Sequence, residues 1–154
     1  MAAAQMYPSS SPLPDPRTQP GFYTSIPMKR LLAFVFDVLF IFALTFLVSV
    51  LTFGLGFLVF AGIYTIISLI YRIATLSNRS ATWGMRLMAM EMRTAQGARF
   101  DLGTAALHTL GTAASFAVAP LQLISVILML TTARAQGLTD HVLGTVALNR
   151  AAQR

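Results

Sequence analysis

The sequence predicts an all-α membrane protein: a transmembrane helical hairpin, a third apolar region and a small cytoplasmic β element. Three observations lead there. The chain of 154 residues is 56% hydrophobic and only 10% charged, with a mean hydropathy of +0.69, whereas soluble domains run at ~45–50% apolar and ~25% charged. Residues 29–53 hold a basic doublet followed by about twenty apolar residues, enough to match a ~30 Å hydrocarbon core at ~1.5 Å per helical residue. None of the 11 basic residues falls in the connector that follows.

The same composition narrows the function classes. The net charge of +6 reads, in a membrane protein, as orientation and contact with anionic headgroups rather than nucleic acid. No nucleic-acid-binding pattern accompanies it. Without cysteine the chain has no disulfide, thiolate metal site or cysteine nucleophile. The two histidines, His108 and His141, are too scattered for a metal site, and no cofactor is implied. There is no Gly-x-Ser-x-Gly elbow, His-Glu-x-x-His helix, phosphate loop or dinucleotide fingerprint, so the chain is not expected to be an enzyme.

In order, residues 1–27 carry six of the seven prolines and the run Ser9-Ser10-Ser11 without periodicity, which predicts a disordered tail. It is not a cleaved signal peptide, because the first apolar run is already of spanning length. Phe22 and Tyr23 are candidate interfacial anchors. The spans are expected at about 31–52 and 56–72, joined by a Gly-containing link (Gly54, Gly56) so short that the helices must be antiparallel neighbours. Basic residues before and after this hairpin place the N-terminus and residues 73–101 in the cytoplasm; the expected location is a bacterial inner membrane.

Within residues 73–101, Met88, Met90 and Met92 alternate with polar neighbours, the period of a strand with one buried face; Gly97 closes a turn after it. A lone strand is unstable. Its best partner is the alternating segment 144–149, with Val146 and Leu148 on one side. The methionine stripe is read as packing rather than as a copper site.

The third apolar region, about residues 103–132, is broken by Pro120. It is either one kinked span or a re-entrant pair of short helices. Length favours the single span, since each arm of a pair is only about 15 residues, roughly 22 Å. Charge favours the pair, which puts all 11 basic residues on one side and alone lets the 144–149 strand reach Met90. Residues 151–154 form a short tail.

Asp37 poses the chemical question. A charged aspartate at the centre of a spanning helix costs on the order of 2.5–3.5 kcal/mol on insertion scales, somewhat less at intermediate depth. Arg30 stands seven residues earlier on the same face, but both side chains lean toward the N-terminus, so direct pairing is poor and Arg30 reads as an interface anchor. Counting to the same depth back from Arg72 on the second helix gives Tyr64, Thr65 and Ser68 as hydrogen-bond donors to Asp37, with Arg72 and His108 as candidate cations. The functional reading of Asp37 is proton or cation binding; the plainer one is a structural clamp between helices. Asp140 is either an N-cap of a short interfacial helix or a partner for Arg30 or Arg134.

An arginine at the mouth of the first span, an aspartate seven residues inside it and a later aspartate ahead of Leu143-Gly144-Thr145-Val146 together resemble the RDD family of small membrane proteins. On that resemblance the family's Arg-Asp-Asp set falls on Arg30, Asp37 and Asp140, within a domain of residues 28–150. Thr82-Trp83-Gly84-Met85-Arg86-Leu87 resembles the family's Thr-x-Gly-Lys-x-Leu. Met85 stands where a lysine is usual, and His108 near where another arginine is frequent. The resemblance implies transport of ions or small ligands. Two functions from different classes follow: transport centred on Asp37, or an accessory subunit that packs against a larger membrane complex through the Gly/Ala-rich surface of residues 103–119. Either is expected to need a homo-oligomer or a larger complex, since so few apolar elements seldom enclose a pathway. A polar cavity at Asp37 favours transport; a site closed by hydrogen bonds from the second helix favours scaffold.

Overall fold

The computed structural model describes residues 12–150. Helix α1 (Ile26–Leu51) and helix α2 (Phe60–Arg79) form the hairpin, joined through a 3-10 turn at Leu55–Val59. The reversal is made at Gly54, whose φ of +85° an L side chain rarely adopts. Both helices are long and apolar enough to cross a membrane.

Burial along α1 follows a four-residue repeat: Ala33, Asp37, Ile41, Thr45 and Ser49. These mostly small or polar residues face the other helices, while Leu39, Phe42 and Leu47 are among the large apolar residues turned outward. This is the arrangement expected in lipid, where close backbone approach holds helices together and the oily face needs no covering. The hydroxyls of Thr45 and Ser49 donate to the carbonyls of Ile41 and Thr45 at 2.8 and 2.9 Å, so neither is left unpaired. Phe42 meets Phe60, and Phe46 meets Phe57, across the hairpin.

Helix α2 runs seven residues beyond the expected end of its span. It ends at Ser80, which is buried in the left-handed conformation. The Ser80 hydroxyl accepts from the Phe100 N–H at 2.8 Å and its carbonyl from the Met92 N–H at 2.7 Å. That residue ties the hairpin to the polar segment. There follow a short helix α3 (Trp83–Leu87), capped by the Thr82 hydroxyl, and strand β1 (Met90–Thr94).

The third apolar region is two helices, α4 (Leu102–Ala117) and α5 (Ala119–Thr131), bent by 115° at the break before Pro120. The bend follows from proline, which cannot donate its backbone nitrogen and clashes with the preceding turn. A short helix α6 (Leu138–Leu143) leads to strand β2 (Thr145–Asn149). β1 and β2 pair antiparallel, Met90 opposite Asn149 and Thr94 opposite Thr145. The pairing of β1 with β2 brings the chain after α5 back to the segment before α4, and the region between is a sharply bent helix pair rather than one straight helix.

The sheet is covered on both sides rather than one. Met90, Met92 and Ala147 join the main core with Ile26, Leu76 and Phe100. Val146 and Leu148 face Leu13 and Tyr23. Met88 lies outside β1, as the C-cap of α3. The segment expected to be a disordered tail is thus ordered from residue 12 onward: the Tyr23 hydroxyl donates to the Pro14 carbonyl at 2.8 Å, and Asn149 Nδ2 donates to the Gly21 and Thr24 carbonyls. A proline-rich strap pinned by a few anchors has the composition of a disordered segment, which is why periodicity does not reveal it. Residues 1–11 and 151–154 of the two expected tails lie outside the described residues.

Candidate functional site

The Arg-Asp-Asp residues do not form one cluster. They form two, on either side of a cavity.

The first centres on Asp140, which is wholly buried. It stands in the first turn of α6, where its Oδ2 accepts from the Gly137 N–H at 3.0 Å. The same oxygen takes the Arg30 guanidinium, and Oδ1 meets His108 Nε2 and the Thr145 hydroxyl, each at 2.9 Å. Helices α1, α4 and α6 and strand β2 are thereby pinned to one carboxylate. Burial pushes the Asp140 carboxyl up, but Arg30 and His108 outweigh it and hold the group well below the usual carboxylate range. The expected headgroup anchor Arg30 is therefore a largely buried partner, its side chain 17% exposed. It turns inward because β2 and α6 return beside α1, which the local sequence does not disclose. Of the two roles open to Asp140, both hold in part: it serves a helix N-terminus and pairs with Arg30.

The second cluster centres on Asp37, 1% exposed. Its Oδ1 accepts from the Tyr71 hydroxyl at 2.7 Å and the Gly84 N–H at 2.9 Å. The Tyr71 oxygen in turn accepts from the Trp83 N–H at 3.0 Å. The start of α3 thus dips against α1, and only glycine fits there: a Cβ on residue 84 would stand 2.2 Å from the Ala33 carbonyl oxygen and 2.9 Å from Asp37 Oδ1. Phe40 lies beside both Tyr71 and Trp83, closing the site on its outer side.

The expected donors are corrected by this geometry. Among the described residues neither Tyr64, Thr65 nor Ser68 hydrogen-bonds to Asp37; the Thr65 hydroxyl donates to the Ala61 carbonyl. Asp37 is met instead by Tyr71, nearer the C-terminal end of α2, because a helical side chain leans toward the helix N-terminus and the long tyrosine carries its hydroxyl to the level of Asp37. His108 pairs with Asp140 instead of Asp37. Arg72 makes no ion pair with Asp37; its guanidinium sits over the Phe34 ring, 5.8 Å from the centroid. Tyr71, Gly84 and Thr145 were missed as site residues. Only Gly84 carried a signal, as the glycine of the Thr-x-Gly-like segment Thr82-Trp83-Gly84.

Between the clusters lies a cavity of about 440 Å³, lined by Arg30, Asp37, Arg72, His108 and Asp140 among mostly apolar walls from α1, α4 and α5. Thr109, 2% exposed, lines it with a hydroxyl that has no hydrogen-bond partner among the described residues. Among the described residues no group of acidic, histidine or cysteine side chains is arranged to hold a metal ion.

An apolar hairpin long enough to span, a bent pair of apolar helices beside it and buried carboxylates that tie these elements together define a small membrane protein. A family model described as the RDD family matches residues 24–144, and the chain belongs to that family of membrane proteins. Comparison with curated proteins and with solved structures gave no match.

Proposed function

We propose that this protein handles a small ligand or ion in the membrane, as a transport-type protein whose binding site is the cavity beside Asp37 and which performs no chemistry on its ligand. The observation that carries the reading is a buried carboxylate lining a cavity with, among the described residues, only one of its oxygens engaged. An acid held at this depth is tolerated where it has neutral donors and a task, the usual circumstance of intramembrane carboxylates. In this reading the face carrying Arg30, β1, β2 and α6 is cytoplasmic in a bacterial inner membrane, in keeping with the basic residues gathered there. The exposed outer faces of α1 and α5 serve contact with lipid, further copies or a larger complex.

The test is flux in proteoliposomes. Asp37→Asn keeps an acceptor for Tyr71 and Gly84 but removes the charge, so cation- or pH-dependent flux is lost while membrane accumulation persists. Unchanged flux sinks the reading.

A second reading, an accessory subunit, is favoured by the closure of Asp37 Oδ1 between Tyr71 and Gly84, the geometry of a clamp. Under it, Asp37→Asn lowers assembly or membrane accumulation and no flux depends on the cavity.

A further inference from the structure

Three charges at the cavity wall are satisfied among themselves: Arg30, His108 and Asp140. Two are not. Asp37 has two neutral donors on Oδ1 and, among the described residues, no hydrogen bond on Oδ2 and no cation in ion-pair contact. Arg72 has no carboxylate in ion-pair contact among the described residues and rests over Phe34. Phe34 and Asp37 are three residues apart on α1, hence on the same helical face, so the guanidinium and the carboxylate stand about one turn apart without meeting. A lone charge in apolar surroundings is costly, and two opposite charges held apart across a cavity wall are complementary to a molecule bearing both signs.

The walls say what else that molecule carries. They are largely apolar, and the lining residues most open to the outside are Met28 (59%) and Leu31 (55%) on α1 and Leu130 (68%) on α5. α5 packs against α4 and α6, whereas α1 packs against α2 and α3, so the cavity opens sideways between α1 and α5. That opening is rimmed by apolar side chains. The volume lies within the ~300–1,000 Å³ usual for small-ligand sites.

We propose that the cavity takes a zwitterionic amphiphile, its ammonium on Asp37, its phosphate or carboxylate on Arg72, and its chain leaving between α1 and α5. The unpartnered Thr109 hydroxyl supplies a further hydrogen bond to the headgroup. This rests on the reading of the cavity as a ligand site and names the ligand's class. A free amino-acid-like zwitterion would satisfy the charges but leave the apolar walls uncovered; a simple anion would satisfy Arg72 but be repelled by Asp37.

The experiment uses the full chain in detergent and three probes: lysophosphatidylethanolamine, which has a donating ammonium and a phosphate; lysophosphatidylcholine, whose quaternary ammonium cannot donate; and lysophosphatidylglycerol, which is anionic only. Dissociation constants are read by native mass spectrometry and by ligand-induced shift of the unfolding temperature. The ethanolamine probe binds at least about tenfold more tightly than either other, the consequence of one charge-assisted hydrogen bond to Asp37, and Arg72→Gln, which removes the partner of the phosphate that all three share, weakens all three about tenfold. Arg72 pairs with no carboxylate among the described residues, so the variant retains its fold; the choline probe tests the Asp37 contact without any substitution. Equal binding of the three probes, preference for the glycerol probe, or affinities that Arg72→Gln leaves unchanged overturn the proposal, as does a particle in which a second copy fills the cleft and no probe is retained. Headgroup preference without any flux in proteoliposomes sinks the transport reading alone; Asp37-dependent flux without headgroup preference sinks this proposal alone.

Discussion

The backbone N–H of Gly84 donates to Asp37 Oδ1 at 2.9 Å, and it reaches that oxygen only because residue 84 has no side chain to hold α3 away from Ala33. A transmembrane carboxylate is thus satisfied in part by backbone delivered from a loop outside the hairpin. The Tyr71 hydroxyl, donating to the same oxygen and accepting from Trp83, extends the contact over both spans.

Gly84→Ala is therefore expected to push α3 off α1 and weaken the hydrogen bond to Asp37 together. The loss is about 1–3 kcal/mol, the range for forcing extra atoms into a packed site. Gly62 in α2 is the control, since nothing lies within 4 Å of a Cβ built there; Gly62→Ala leaves stability unchanged or raises it by up to about 1 kcal/mol. Thermal unfolding of both variants in one detergent gives the comparison. Equal effects would mean that α3 does not press on α1.

Arg30→Gln leaves Asp140 buried without its cation and is expected to cost on the order of 3–5 kcal/mol. The dependence on pH follows from the direction of the Asp140 shift. A carboxyl whose native pKa is depressed contributes stability that is fully present above its unfolded value of about 3.9 and is lost as pH falls below it. The unfolded chains titrate alike, so the gap between wild type and Arg30→Gln narrows as pH falls from the Asp140 pKa of the variant, raised by the loss of Arg30, toward the depressed one of the wild type. Chemical denaturation from pH 7 downward measures it, and a gap that does not narrow on acidification would assign the coupling to a different group.

Asn149 holds the N-terminal strap through two donated hydrogen bonds and accepts a third from Lys29 Nζ at 2.8 Å. Asn149→Ala leaves the Gly21 and Thr24 carbonyls without that donor, an expected cost of about 1–3 kcal/mol. Opening is local, so limited proteolysis is the sensitive readout: cleavage should appear between residues 12 and 24 while the hairpin remains intact. Resistance equal to wild type would show that Leu13 and Tyr23 hold the strap unaided.

Long apolar runs, the uncharged link at Gly54 and the alternation around Met90 and Val146 were legible because each is a local pattern with a physical period: the bilayer thickness, the tight turn and the pleat. Pro120 announced a break but not its consequence, because one missing hydrogen bond is compatible with a kink or with a reversal. The strap from residue 12 was illegible for the opposite reason, having no period of its own and taking its order from the sheet beneath it.

The sequence by itself determined that the chain lies in a membrane, where its two spanning helices turn, which strand finds which, and that Arg30, Asp37 and Asp140 stand apart from their oily surroundings. Tertiary structure alone decided their partners. A side chain at a given depth can be met by any element that returns to that level, and the return of α6 and β2 beside α1, with the dip of α3 toward Ala33, is set by packing among segments more than forty residues apart. That is why Arg30 closes on Asp140, why Tyr71 and Gly84 hold Asp37, and why a cavity lined by Asp37 and Arg72, which form no ion pair with each other, remains between them.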